Sequence, residues 1–396
     1  MKKIWLLVFS VALIGVGVYF VKNYLFYDLS LNNIVPAIKL PGKDIRQYLP
    51  QNHQIAYPFS IKSSYVLDVF ADMGGNLPRA LAWDPNGTLV VSATKKGKVF
   101  ALPDADRNGK ADQVIEIVSG LNKPHGIAFD KDWIYIAETD KVSRYSYSTS
   151  SYTASFPQVL FTLPGGGRHY TRTIRIHDGK LYTSVGSSCD VCVENDEERA
   201  TILVSNLDGT EKKVFAKGLR NTVFFVFDKN GNMWGADMGR DGLGDDLPPD
   251  ELNIIEEGKD YGWPYCYGNR VRDISFKSGQ QTSYCISTEP SIYNFQAHVA
   301  PLGLAFIDSS QFSSGDQNNL LVAFHGSWNR SSPVGYSIEK LNIFANNVSS
   351  TDRYLYGWLR RSEVFGRPVD LIFSDNGKLF ISDDNAGLIY IYSKGG

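Results

Sequence analysis

The chain has 396 residues, with 40 Lys and Arg against 42 Asp and Glu, a formal net charge of −2, and 13% aromatic residues. Such a balance offers no basic surface for a nucleic-acid partner. The length suits two average domains or one large all-β domain, and 22 Tyr with 22 Phe can fill an extensive core.

Residues 4–21 form an uncharged run of 18, preceded by Lys2 and Lys3. The run exceeds the usual apolar core of a cleaved signal peptide and no small-residue cleavage site follows it, so it reads as one N-terminal transmembrane helix. The lysines hold its start in the cytoplasm and send the remainder outside, which places the folded domain on the extracytoplasmic side of the cell membrane. A cleaved signal peptide is the alternative. Residues 1–24 are expected to be the anchor, 25–60 a tether and 61–396 the folded domain.

Cys189, Cys192, Cys266 and Cys285 all lie beyond the anchor. An even number of cysteines in an oxidising compartment favours disulfides, here Cys266 with Cys285 and Cys189 with Cys192. The alternatives for Cys189-Asp190-Val191-Cys192 are haem attachment, zinc and a redox dithiol. Haem attachment needs His where Val193 stands, zinc needs a second such pair, and the motif opens no helix.

From Tyr65 onward a unit recurs: a short apolar strand, an Asp/Asn-Gly turn, and a second apolar strand ending in a small or acidic residue. It reads PRALAWDPNGTLVVSAT from Pro78, PHGIAFDKDWIYIAET from Pro124 and TRTIRIHDGKLYTSVGS from Thr171. It returns as NTVFFVFDKNGNMWGADMG from Asn221, PLGLAFIDSSQFSSGDQNNLLVAFHG from Pro301 and PVDLIFSDNGKLFISDD from Pro368. Alternating strands joined by such turns are hairpins. Six copies predict an all-β, six-bladed β-propeller, since repeats of about four strands bury their faces by stacking radially. YVLDVF (65–70) is expected to close the ring by pairing into the last blade, and insertions are expected between Asp237 and Pro301 and between Phe324 and Val369.

Residues just before each innermost strand ring one mouth of a propeller's channel. Here they are Arg79, His125, His169 with Arg172, Arg220 with Asn221, His298 and Arg367. Converging cations and imidazoles predict a small polyanionic, carboxylated ligand. The loop from Met238 to Pro249 opens at this mouth, is too long for a plain connection, and carries carboxylates and carbonyls suited to calcium; a solvated acidic loop is the alternative. Asp250 and Glu251 could cap the loop or hold another ion. A separate calcium site is possible at Asp104, Asp106, Asn108 and Asp112, whose spacing imitates the first part of an EF-hand loop; an Asx-rich hairpin turn is the bland reading. His53 and His177 read as ordinary surface residues.

The motifs GGGRHYTRTI (165–174), VGSSCDVC (185–192), GLRN (218–221), DMGRDGLGDDLPPDELN (237–253), YGWPYCYG (261–268), HGSWNR (325–330) and GRPVDL (366–371) occur in this order. Together they resemble the pyrroloquinoline quinone (PQQ) dependent glucose/sorbosone dehydrogenase family, the sorbosone dehydrogenase branch most closely, over residues 67–392. The resemblance implies an oxidoreductase with PQQ across the channel mouth and Ca2+ beside it, oxidising an aldose or sugar-derived aldehyde and passing electrons to an external acceptor. By similarity His169 is the general base while hydride passes to the quinone, with His125 as the second candidate. Arg220 would stabilise charge on the quinone oxygen and Asn221 would hydrogen-bond the cofactor. The backbone carbonyls of Gly239 and Arg240 would hold calcium, and Arg330 and Arg367 would clamp carboxylates, with Arg172 as a further candidate; Arg79 and His125 complete the basic ring. Substrate choice is expected from loops 267–284 and 352–365. The departures are Arg240, where soluble glucose dehydrogenases carry Pro, and HYTRT around the base. Two other functions are compatible with the propeller: a calcium-dependent lactonase, which needs carboxylates and amides facing the channel, and a non-catalytic surface-binding propeller.

Overall fold

A computed structural model describes residues 42–48, 58–276 and 282–395. Six four-stranded antiparallel sheets stand around a central channel, with two small hairpins outside them. The innermost strands are Leu81–Trp83, Ile127–Asp130, Ile174–His177, Thr222–Phe227, Pro301–Phe306 and Pro368–Phe373, one from each repeat. Each repeat folds locally for the reason its turn predicts. Asp228 Oδ1 accepts the amides of Asn230 (2.8 Å) and Asn232 (2.9 Å), and Gly231 takes φ +84°, a region that glycine enters without steric cost. Asp84 repeats the device with Asn86 and Thr88.

The ring closes as the sequence implies: Tyr65–Asp72 pairs antiparallel with Leu388–Lys394, so blade 6 combines both ends of the domain. Burial of the apolar faces between blades supplies the stability. Trp234 of blade 4 is fully buried and meets Phe306 of blade 5 edge-on at 5.6 Å. Both expected disulfides form, Cys189–Cys192 and Cys266–Cys285.

Two expectations change. The stretch after Phe324 is no insertion, because Ser337–Phe344 and Asn347–Tyr356 are the two outer strands of blade 5. Only the hairpin of Leu359–Arg360 with Glu363–Val364 is added there. Blade 4 does carry an insertion: its outermost strand, Tyr293–Phe295, follows a disulfide-bonded excursion with a hairpin and the short helix Thr282–Ser287. The expected tether is docked where it is described, since Ile45 is buried in the core, Arg46 pairs with Asp72 at 2.6 Å, and Ser60 bridges Tyr356. The expected transmembrane helix and His53 lie outside the described residues. Among the described residues no helix is long and apolar enough to cross a membrane.

Candidate active site

The second strand of each blade ends beside the start of the first, and its last residues fasten that start. Ser92, Ser184 and Ser382 hydroxyls accept the amides of Ala80, Thr173 and Asp370 at 3.0–3.1 Å. In blade 4 the fastener is Asp237, whose carboxylate accepts the amides of Arg220 (2.9 Å) and Asn221 (2.6 Å) and the Thr222 hydroxyl. In blade 6 it is Asp383, which accepts the Arg367 amide at 2.9 Å. The small or acidic residue that closes each repeat therefore aims the residues of the mouth.

On one side of the mouth the structure brings His169, Arg220 and Asn221 together. His169 and Asn221 meet at Gly186, where a Cβ would lie 2.7 Å from His169 Cβ and 2.8 Å from Asn221 Oδ1, and the charge of Arg220 acts on the His169 ring. His169 Nδ1 lies 2.8 Å from Ser187 Oγ and 3.1 Å from the Ser187 carbonyl. The Ser187 hydroxyl gives its only proton to the Cys189 carbonyl at 2.7 Å, so both neighbours of Nδ1 can only accept. Nδ1 therefore carries the ring proton, and Nε2 keeps its lone pair. Burial, with the charges of Arg220 and Arg168 behind it, pushes the His169 pKa down to about 3, so the ring is neutral at ordinary pH.

Arg220 is buried and fixed by the CxxC turn. Its Nε donates to the Asp190 carbonyl (2.8 Å), Nη2 to Asp190 Oδ1 (2.6 Å) and Nη1 to the Met238 carbonyl (3.1 Å). Asp190 Oδ1 also accepts the Asp241 amide at 3.0 Å, which ties the disulfide turn to the long loop. Asp241 in turn receives Arg168 and, at 2.6 Å, Asn329. Above them Trp328 is 51% exposed, with Arg168 5.8 Å from its ring centre.

Across the mouth, Arg79 pairs with Asp384 at 2.5 Å, and Asp384 also receives His325 at 2.8 Å. His125 is wholly buried, sharing Nδ1 with the Thr173 hydroxyl at 3.1 Å. Burial, then Arg79 and Arg175, drives its pKa well below the usual imidazole value. His125 Nε2, Arg79 Nε and Asn329 Oδ1 are buried polar atoms without a partner among the described residues.

Other expected ligands are spent on the protein itself. Arg172, expected at the cofactor, is completely buried and donates to the carbonyls of Pro164, His169 and Thr171 at 2.9 Å. It shapes the turn that carries His169 and does not face the mouth. Arg330 holds the carbonyls of Asp245, Ala297 and Ser332 and the Asp246 carboxylate, pinning the long loop to blade 5. Arg367 stacks over Tyr336 at 4.6 Å and donates to its hydroxyl and to the Gly326 carbonyl at 2.7 Å each. As clamps, Arg330 and Arg367 are satisfied before any ligand arrives. His298 is a loop fastener, with Nε2 2.9 Å from the Gly244 carbonyl.

Within the long loop, no described residue donates a hydrogen bond to the Gly239 or Arg240 carbonyl. The Arg240 side chain turns away to Asp273 at 2.8 Å. Asp250 bridges the Gly239 amide (2.8 Å) and the Ala300 amide (2.9 Å), and Glu251 takes the Gly268 amide and Asn253. Burial raises Asp237 to about 6 and Asp250 and Glu251 to about 7. All three carboxylates thus serve as loop caps. At the other expected calcium site, Asp104 takes the Gly109 amide (3.0 Å), Asp112 the Ala105 amide (2.8 Å) and Asp106 the Asn108 side chain (2.9 Å). Asp104 Oδ1 is buried without a partner among the described residues, and the one group of three His, Cys, Asp or Glu side chains with ligating atoms within 4.8 Å of one another among them is Cys189, Cys192 and Glu194, with both cysteines disulfide-bonded. The segment is an Asx-rich turn.

Sequence reasoning passed over Ser187, Asp190, Asp241, Arg168, Asn329 and Trp328. All lie inside or beside the motifs VGSSCDVC, DMGRDG, GGGRHYT and HGSWNR, so their neighbourhood was the available signal.

An oriented neutral imidazole near a fixed guanidinium can accept a proton next to an anchored positive charge. The chain belongs to the TrAA12-like family, whose model matches residues 59–395. An uncharacterized protein of Borreliella burgdorferi is 33% identical over 358 residues, 85% of this chain and 91% of that one. The pyrroloquinoline quinone-dependent pyranose dehydrogenase of Coprinopsis cinerea is 23% identical over 81% of this chain, which spans about half, 53%, of that enzyme. Among solved structures, the calcium structure of the Trichoderma reesei carbohydrate-active enzyme of family AA12 superposes with a TM-score of 0.76 at 21% identity, covering 87% of this chain and 99% of that one.

Proposed function

We propose that the protein is a PQQ- and calcium-dependent dehydrogenase that oxidises a sugar or sugar-derived aldehyde. The observation that carries this reading is His169, whose Nδ1 is hydrogen-bonded to acceptors only, whose Nε2 has no hydrogen-bond partner among the described residues, and whose ring feels the charge of Arg220. That is the state required of a general base. Similarity to the Coprinopsis cinerea enzyme supports the cofactor and the substrate class.

The residues present fit both groups. Buried Arg79 Nε, His125 Nε2 and Asn329 Oδ1 await polar partners at the mouth, and the unclaimed carbonyls of Gly239 and Arg240 are hard oxygen donors of the kind calcium takes. PQQ, when bound, supplies an ortho-quinone that accepts hydride. His169 Nε2 takes the proton of the substrate hydroxyl, and Arg220, rigid through its three bonds, offers positive charge to a developing oxyanion. Exposed Trp328 gives a sugar ring an apolar face to lie against at the rim. The two disulfides support a domain working in an oxidising compartment, with residues 4–21 as its membrane tether and a separate carrier receiving the electrons.

The test is titration of the metal-free protein with PQQ and Ca2+, following cofactor absorbance and sugar-dependent dye reduction. Calcium-dependent binding with dye reduction is expected. His169→Ala should bind the cofactor and lose turnover; normal turnover in that variant would overturn the assignment.

A further inference from the structure

The channel widens away from the His169 mouth into a cavity of about 820 Å3, lined by residues of all six innermost strands. That volume lies in the range of about 300–1,000 Å3 typical of small-molecule pockets. Its wall is apolar and aromatic, with Trp83, Phe129, Phe227, Phe306 and Phe373 among the lining residues, and its rim is polar, with Asp228, Lys229 and Asn346. Arg175 is the one charged side chain that the innermost strands contribute to this lining.

A guanidinium carries five N–H donors. Among the described residues Arg175 makes one hydrogen bond, from Nη1 to the carbonyl of the preceding residue, Ile174, at 3.2 Å, and no carboxylate stands within 4.0 Å of it. Nearby acids are already engaged. Asp370 is completely buried and gives its oxygens to the amides of Leu81 (2.8 Å) and Leu371 (2.9 Å). Asp228 closes its own turn and receives Trp234 Nε1 at 3.1 Å, while Lys229 is held by Asn318 at 2.8 Å. Asp370 and His125 both feel the charge of Arg175, and the Asp370 carboxylate balances part of it. Its remaining N–H donors stand against an apolar wall, and a bound anion with an apolar body would engage both surfaces at once.

We propose that this end of the channel is a binding site for a small amphipathic carboxylate, its acid group on Arg175 and its apolar body against the aromatic wall. The site is separate from the His169 mouth and does not depend on the proposed oxidation. The probe is octanoate, titrated calorimetrically into the full chain, with 1-octanol as the neutral isostere. Saturable 1:1 octanoate binding at least tenfold tighter than octanol is expected. Arg175→Met should lower octanoate to the level of octanol, and Arg175→Lys should keep most of the preference. Equal binding of the two probes to the wild-type protein, no saturable binding, or full octanoate affinity in a folded Arg175→Met variant would each overturn the proposal. Should Arg175→Met fail to fold, the wild-type comparison and Arg175→Lys decide it.

Discussion

Asp190 is the residue through which the disulfide turn holds Arg220, and Asp190→Ala tests whether that hold matters. Arg220 is only 5% exposed at its side chain and Asp190 23%, so the pair is largely shielded from water. The substitution removes a charge-assisted contact of 2.6 Å and the acceptor of the Asp241 amide at 3.0 Å, while the main-chain acceptor of Arg220 Nε survives. Both are hydrogen bonds to a charged group, each contributing roughly 1.5–3 kcal/mol, and the partial exposure of Asp190 reduces their sum, so a loss of about 2–4 kcal/mol is expected in denaturant unfolding. The kinetic effect should be larger than the change in cofactor affinity, because a guanidinium displaced by about 1 Å costs on the order of 100-fold in rate. Asp190→Asn keeps an acceptor and should fall between Asp190→Ala and the wild type. The assays are chemical denaturation of the metal-free protein and dye reduction with PQQ and calcium. Wild-type stability together with wild-type kcat in Asp190→Ala would refute the idea that this carboxylate positions Arg220.

Gly186→Ala would drive a methyl group into His169 Cβ and Asn221 Oδ1, so turnover should drop at least tenfold while the far-ultraviolet circular dichroism stays propeller-like. The acid limb of kcat/KM should report His169: its pKa of about 3 keeps the base neutral above that pH, and activity falls as pH drops through it. Arg168→Gln removes one of the charges that depress it, so the limb should move upward toward the ordinary imidazole value; an unmoved limb would contradict His169 as the base. His125 is buried neutral with a depressed pKa, so its stabilisation is present above about pH 6.5 and is lost on acidification, which His125→Gln should blunt in pH-dependent melting. Trp234→Ala empties a fully buried site between blades 4 and 5 and should cost about 3–5 kcal/mol in equilibrium unfolding.

The six-fold repeat and its turns were legible in the sequence because both are local, and the closure of the ring was legible because the repeats leave YVLDVF (65–70) over as a strand for the last blade. An Asp followed by Gly makes the same turn wherever it stands, and alternating apolar residues have one way to be buried between stacked blades. The disulfides were legible too, since Cys189 with Cys192 and Cys266 with Cys285 are close along the chain. What the sequence could not say is where each basic residue of the mouth spends its charge. Arg220 and Arg367 occupy equivalent places before their innermost strands and Arg172 lies two residues further along its own, yet Arg172 is consumed by the turn of residues 164–171 and Arg367 by Tyr336 and the Gly326 carbonyl. Arg220 is oriented by Asp190, 30 residues away, and by the long loop. A guanidinium goes to whichever acceptors the packed loops bring within about 3 Å, and those loops come from other blades. For the same reason the acidic run 104–112 looked like a cation site by spacing and became a turn capped by its own carboxylates, and Arg175, unremarked in an apolar strand, became the one charge that the innermost strands bring to a cavity wall.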